Sequence, residues 1–514
     1  MMRARRIMAA GAVCATILGL VTACGGNGSG AAGQAGDLRI GMSAGLDLLD
    51  PTRTANGPDM DVMNQIYETL LQLNPETKAL EPKLATSYQL INPTTWQFKL
   101  RTGVRFSDGE PFDANAVKYS IERIRNPKTN SPSRSQLSSV KSVDIVDPAT
   151  VNIVTARPDP VLPRRMQPIG GSGRVYMVPP KYFAEHTDQE VSDKPVGTGP
   201  FKLDAWSKGQ SLTLVQNPDY WGKKPQVTKA VFTFIQENST RVNALSSGEV
   251  DLIQRVPIEN VEQLKKNGTH VAMSPDGLVH TLLLDTRTAP FDNIKVRQAF
   301  AYSLNVSGFV KDLLKGYGRQ LAVPMAPTVS QFDQSIKPYP YDPEAAKQLL
   351  KEAGVATPIA LSTKTSNGRY VADKDIYQVI NNELNGVGFQ ITPQIVEWGR
   401  LIAQMQSHSA GPFYIIGWDF GEGDASKMNS FLQTGATLSI SSTPEYDKLA
   451  AEANATTDAA KNKELWQQAE KVIHDSFVVA AAWQANAIYG ERDRIDWAPK
   501  FGENLDLSTV AFKS

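Results

Sequence analysis

Short runs of alternating apolar and polar residues are interleaved along this chain with stretches whose apolar residues recur every three or four positions. Trp96, Phe98 and Leu100 alternate with Gln97 and Lys99, which predicts a strand with one buried face. Leu212 with Leu214, and Phe232 with Phe234, repeat that period around the turn-rich Asn217-Pro218-Asp219-Tyr220-Trp221-Gly222. The longer period marks helices. Ala114, Val117, Ile121 and Ile124 share one helical face behind Asp113, a natural N-cap, and Asn126-Pro127 ends it. Asp342-Pro343-Glu344 opens another helix with a cap, a proline in the first turn and an acid near the positive end of the dipole. Gly354 closes it. Lys295 to Lys315 carries Val296, Phe300, Leu304, Val310 and Leu314 at helical spacing, with Asn305 and Ser307-Gly308 expected to break it in two. Lys374 to Gly386 reads as a helix and Phe389 to Thr392 as the strand after it. Both periods persist to the C-terminus without a repeat of fixed length, so the class is α/β.

The first residues follow neither pattern. Arg3, Arg5 and Arg6 precede the uncharged run Ile7 to Leu20, the basic-then-apolar layout of a secretory signal. That run is shorter than the roughly 20 apolar residues a membrane-spanning helix needs. Val21-Thr22-Ala23-Cys24 resembles the lipobox of bacterial lipoproteins, which implies acylation of the Cys24 sulfur and removal of residues 1–23. The acyl chains would hold the protein at the membrane, and residues 24–36, rich in glycine, read as a flexible tether. The only other cysteine, Cys14, lies in the segment to be removed. The mature chain then has no disulfide and no cysteine-based nucleophile or metal site.

Composition narrows the function further. The 53 basic side chains equal the 53 acidic ones, and losing three signal arginines leaves the mature chain nearly neutral, which argues against a nucleic-acid partner. A chain of 514 residues exceeds one hydrophobic core, so two or three domains are expected. The five histidines show no metal-ligand spacing, no nucleophile elbow occurs, and no Gly-Lys-Ser or Gly-Lys-Thr is present to cradle phosphate. Neither an enzyme nor a cofactor is expected.

Leu100-Arg101-Thr102-Gly103-Val104-Arg105-Phe106-Ser107-Asp108-Gly109, Val196-Gly197-Thr198-Gly199-Pro200-Phe201, Asn217-Pro218-Asp219-Tyr220-Trp221, Ser247-Gly248-Glu249-Val250-Asp251, Val296-Arg297-Gln298-Ala299-Phe300 and Gly417-Trp418-Asp419-Phe420 follow one another along the chain. In that order they resemble motifs of the peptide-binding class of extracytoplasmic solute-binding proteins, the oligopeptide, dipeptide and nickel binders that serve ABC importers. The resemblance implies a two-lobed clamshell with an extra subdomain inserted in the first lobe. Lobe I is expected at 37–72, 196–282 and 485–514, the inserted subdomain at 73–195, and lobe II at 283–484. It also implies a monomer on the extracytoplasmic face of the membrane, with a permease and a separate ATPase as partners. Most of these motifs read as structural. The glycines of Gly197-Thr198-Gly199-Pro200 fit a tight turn entering a strand.

A binder tolerant of peptide sequence needs an acid for the amine, a cation for the carboxylate, and exposed strand-like backbone. The aspartate that dipeptide and oligopeptide binders use for the amine falls on Gly421 here, which leaves Asp419 as the candidate, with Glu422 and Asp424 as substitutes. A solvated acidic loop is the plain alternative. Arg369 lies where the dipeptide binders place an arginine for the carboxylate, and it can equally serve as the approach to a helix. Trp418, Trp398 and Phe420 are candidate walls of the pocket, or ordinary core. Asn56 and Asp59 are candidates from the first lobe. An oligosaccharide or other organic solute is a second reading of the ligand, and an envelope lipoprotein acting through protein contacts is a third function.

Overall fold

The computed structural model describes residues 36–74, 76–77, 79–168, 174–266, 268–366, 369–420, 423–499 and 505–513. The signal segment, Cys24, the tether up to residue 35, and Glu422 lie outside the described residues. No described helix is long and apolar enough to cross a membrane.

One nine-stranded sheet organises the molecule. Its strands are β1 (Asp37–Met42), β2 (Phe201–Ser207), β3 (Ser211–Gln216), β4 (Lys229–Phe234), β5 (Leu252–Ile253), β6 (Thr269–Leu284), β7 (Gly318–Leu321), β8 (Phe413–Asp419) and β9 (Val479–Arg492). They lie in the order β8-β6-β9-β5-β1-β4-β3-β2, with β7 also paired to β9. The 16-residue β6 and the 14-residue β9 run antiparallel, from Thr269 opposite Arg492 to Leu283 opposite Val479. At one end, Ala487 and Tyr489 pack with Leu38, Ile40 and Phe232. At the other, Val279, Leu283 and Ala482 pack with Tyr414 and Trp466, while Leu282 and Trp483 on the opposite face join Phe300 and Phe389. Two strands therefore belong to separate cores, and the register breaks between Pro275 and Val279, midway between them. That is the two-lobed α/β architecture.

A second, four-stranded antiparallel sheet pairs Ala85–Asn92, Thr95–Leu100, Thr150–Thr155 and Val140–Asp147 in that order. The helix Ala114–Arg125 covers it, and Phe98, Val117, Ile121, Val143, Val151 and Ile153 form its own core.

Local signals explain where the helices start. The Asp113 carboxylate accepts from the backbone N–H groups of Asn115 and Ala116 at 2.8 and 3.3 Å, and Asp342 accepts from Ala345 N–H at 2.9 Å. The 295–315 region splits into Ile294–Tyr302 and Val306–Asp312, with Asn305 capping the second through Gly308 N–H at 2.9 Å. Ser307 and Gly308, expected at the break, instead lie inside that second helix. The cap outranks glycine's weak helix propensity there.

The shared motifs are fold-building. Gly199 N–H donates to the Ile66 carbonyl at 2.8 Å, at the end of the helix Gly57–Ile66. A Cβ on Gly197 would lie 2.1 Å from that oxygen, and one on Gly199 would lie 2.5 Å from the Gln65 carbonyl. Glycine is required there so that two backbones can meet. Buried Glu68 gathers Tyr220 Oη at 2.9 Å, Trp221 Nε1 at 2.7 Å and Lys83 Nζ at 3.1 Å. Fully buried Asp251 receives Arg39 Nη2 at 2.8 Å and Arg494 Nη2 at 2.6 Å, clamping three distant segments together.

Candidate functional site

Residues directly opposite one another in antiparallel strands share a face of the sheet. Leu321, Ala482, Thr281 and Ile416 stand opposite in turn across β7, β9, β6 and β8. This row faces a lobe core, which contains Leu321, Ala482 and Ile416. Two residues nearer the register break, on the same face, the next row reads Arg319, Gln484, Val279 and Trp418. This row is polar at Arg319 and Gln484, while Val279 belongs to that same core and Trp418 packs against it. Arg319 Nε donates to Gln484 Oε1 at 2.8 Å, and Nη2 donates to the same oxygen. Gln484 Nε2 in turn donates to the Asp276 carbonyl within the irregular stretch of β6. At the far end of the row, the Trp418 ring stacks on Phe431 with centroids 4.1 Å apart and planes 13° apart. The Trp418 Nε1–H is buried and meets no acceptor among the described residues.

β8 borders the sheet. Phe420 N–H bonds inward to the Gly277 carbonyl at 2.9 Å, whereas the Phe413 carbonyl accepts from Thr363 Oγ1 and Gly417 N–H donates to Tyr370 Oη, both at 2.8 Å. The odd-numbered residues of β8 thus turn their backbone groups away from the sheet, and Asp419 is the last of them. Trp418 and Asp419 are neighbours whose side chains leave opposite faces.

Arg369 is exposed, its guanidinium 4.9 Å from the Trp398 ring and 5.3 Å from the Tyr370 ring. Tyr370 also meets the edge of Trp398 at 5.8 Å and His280 at 4.7 Å, and His280 stacks on Trp483 at 5.3 Å. A cavity of about 10 Å³, one water's worth, lies among His280, Ser366, Tyr370, Asp373 and Trp483. Burial pushes the His280 pKa down to about 4, so the ring is neutral at pH 7.

A further arginine bridges two cores. Arg164 sits between Leu162 and Met166, both in the core of the small sheet, and its Nη2 donates to Ser330 Oγ at 3.3 Å. Its Nη1 lies 3.0 Å from where a Cβ on Gly423 would stand. Burial lowers the Arg164 pKa and the charge of Asp424 works against that shift. Asp424 itself is buried and caps the turn Ala425–Met428 through Ser426 N–H at 2.8 Å.

The sequence candidates therefore fall in different places. Arg369 and Trp398 are brought together; Trp418 and Asp419 end one strand; Asp424 faces Arg164. Phe420 is 1 % exposed and packs in the core with Tyr414 and Phe431. Asn56 is exposed and donates to Asp47 at 3.2 Å. Asp59, a weaker expectation, is fully buried and accepts from Asp47 N–H and Thr54 Oγ1, both at 2.9 Å, which makes it a loop clasp. Sequence reasoning missed Arg319, Gln484, Arg164 and Tyr370. Tyr370 follows a residue already singled out, but the other three carry no local signal.

A family model described as "Bacterial extracellular solute-binding proteins, family 5 Middle" matches residues 79–439. The glutathione-binding protein GsiB of Shigella dysenteriae serotype 1 is 28% identical over 470 residues, covering 89% of this chain and 90% of that protein. GsiB of Escherichia coli K12 is 28% identical over 451 residues, covering 85% and 86%. Among solved structures, the substrate-binding protein CtaP of Listeria monocytogenes aligns with a TM-score of 0.84 at 20% identity, over 93% of this chain and 99% of that one. The periplasmic binding protein DppA of Helicobacter pylori, in complex with the peptide STSA, aligns with a TM-score of 0.76 at 24% identity, over 93% and 98%.

Proposed function

This chain belongs to family 5 of the bacterial extracellular solute-binding proteins, and from that premise we propose that it serves an ABC importer by enclosing a short peptide between its lobes. It is a binding protein and not an enzyme. The observation that carries the peptide reading is the end of β8, where Asp419 stands beside Trp418, whose buried indole N–H has no acceptor among the described residues. An extended peptide is held at this strand end through main-chain hydrogen bonds, which tolerate any side chain. Asp419 receives the amine, with Glu422 and Asp424 as the nearby acids; Arg369 and Trp398 form a rim, and Asn56 faces it from the first lobe. Glutathione, which the GsiB relatives are named for, is itself a small peptide.

The lobes divide as 37–72 with 196–282 and 485–514 against 283–484, with 73–195 inserted in the first. Ligand favours closure by touching both. Acylated Cys24 anchors a monomer outside the membrane, where it hands its cargo to the permease. A second reading, an organic solute other than a peptide, is favoured by the Trp398, Tyr370 and Arg369 stack, whose rings suit a sugar.

The test is a thermal-shift screen of residues 37–514 against peptides, sugars and chelated metals. A peptide should raise the melting temperature by mass action. Asp419→Asn should weaken a free-amine peptide more than its N-acetylated form, and equal losses refute the amine role. A transition that no compound moves refutes solute capture.

A further inference from the structure

Two adjacent arginines leave one short turn in opposite directions. The 3₁₀ turn Leu162–Met166 buries Leu162 and Met166 in the core of the small sheet. Arg165 turns back onto that unit, where its Nη1 donates to Asp159 at 2.8 Å and to the Gln136 carbonyl at 2.9 Å. Asp159 also accepts from Ser139 Oγ, and its carbonyl accepts from Trp96 Nε1 at 2.9 Å. The turn is thus fixed to the inserted subdomain, and Arg164 projects from a rigid mount. Half-buried and near Tyr88, it donates to Ser330 Oγ at 3.3 Å and stands beside Gly423 and Asp424. The receiving side is equally fixed. Val329 lies in the core with Tyr414 and Trp466, Gln331 Nε2 donates to Asn462 Oδ1 at 2.9 Å, and Asp333 N–H donates to Glu470 Oε2 at 2.8 Å. The turn that Asp424 caps places Ala425 and Met428 in that same core. Each mount holds together through its own contacts, so Arg164 is needed by neither unit alone and acts only where the two face each other.

We infer that Arg164 is a latch between the inserted subdomain and lobe II, made as the cleft shuts and broken as it opens, so that the inserted subdomain helps to retain solute without touching it. This rests on the solute-binding reading above and gives the inserted subdomain a part in it. A contact present only in the closed arrangement weights that arrangement by one factor, whatever lies in the cleft. The hydroxyl of Ser330 is exposed while Asp424 is buried, so the contact is stronger than a surface pair and weaker than a buried one. A factor of about three to ten follows for a charge-assisted contact of that kind. Solute escapes only through the open form, so the factor falls mainly on dissociation. Lysine keeps the charge but not the fork, and would replace the latch only in part.

The experiment measures opening directly. Residues 37–514 contain no cysteine, so spin labels can be placed on Asp144→Cys and Lys347→Cys, exposed positions on the small sheet and on the helix Pro343–Glu352. Label-to-label distances are compared between wild type and Arg164→Met, alone and with glutathione or tetra-alanine, and dissociation rates are followed by stopped flow. Arg164→Met should move weight from the shorter to the longer distance and speed dissociation about three- to tenfold, by the same factor for both compounds. Arg164→Lys should fall between the two. The melting temperature of each variant reports whether it has folded, and Arg164→Gln serves if the methionine variant has not. Distance distributions that superpose on those of wild type overturn the latch, whether or not either compound binds. A dissociation rate that changes for one compound alone marks direct contact with solute and also overturns it. Neither result touches solute capture, which falls only if wild type binds nothing in the thermal-shift screen.

Discussion

His280 lies beneath Tyr370 and against Trp483, and its burial makes the stability of this region depend on pH in a calculable way. The ring's pKa falls from 6.5 to about 4 in the folded chain. Between those values the unfolded chain takes up a proton that the folded chain refuses, so stability is full above pH 6.5 and declines as pH falls toward 4. At pH 5 the single-site linkage gives a loss of about 2 kcal/mol, approaching about 3 kcal/mol below pH 4. For a cooperative unit of 150–250 residues, about 2 kcal/mol corresponds to roughly 4–8 °C. His280→Phe keeps an aromatic ring stacked on Trp483 and removes the titration. Melting curves of both proteins at pH 7.5, 6 and 5 should therefore diverge, with the variant gaining on wild type by that amount at pH 5. Parallel curves across the range would show that His280 is protonated in the folded state without penalty, and would refute the reasoning.

Asp251→Ala leaves Arg39 and Arg494 without their acid; since those side chains are 28% and 33% exposed and partly rehydrate, a loss of about 3 kcal/mol in urea unfolding is expected. A loss under about 0.5 kcal/mol, the scale of an ordinary surface change, would show that the clamp contributes little. Gly199→Ala drives a methyl into the Gln65 and Ile66 carbonyls and should cost at least about 2 kcal/mol; an unchanged urea midpoint would contradict the close-approach argument. Burial raises the Glu491 pKa to about 8, so the unfolded chain ionises before the folded one and stability falls between about pH 4.5 and 8. Glu491→Gln should then stabilise the protein more at pH 8 than at pH 5, and an equal effect at both would argue against a buried neutral acid.

The sequence showed its local features well and its long-range ones poorly. Asp113 and Asp342 were readable as caps because a cap involves residues two or three apart. Trp96, Phe98 and Leu100 were readable because alternation alone decides which side chains are buried. The Asp251 clamp joins positions 212 and 243 residues away, and the Arg319–Gln484 pair spans 165 residues, so both exist only once strand register is set. Phe420 illustrates the same limit at close range: bordering a candidate loop, it reads as a wall, but it follows the end of β8 and packs into the core. Glycines 197 and 199 announced a tight turn, and only the fold supplied the reason, the Ile66 carbonyl.

The most direct test of the central claim is a crystal structure of residues 37–514 with whichever compound raises the melting temperature. The account predicts ligand density between the lobes, at the Asp419 end of β8 and beside Trp418. A ligand seated on the outside of either lobe, with β8 and Trp418 untouched, would contradict it.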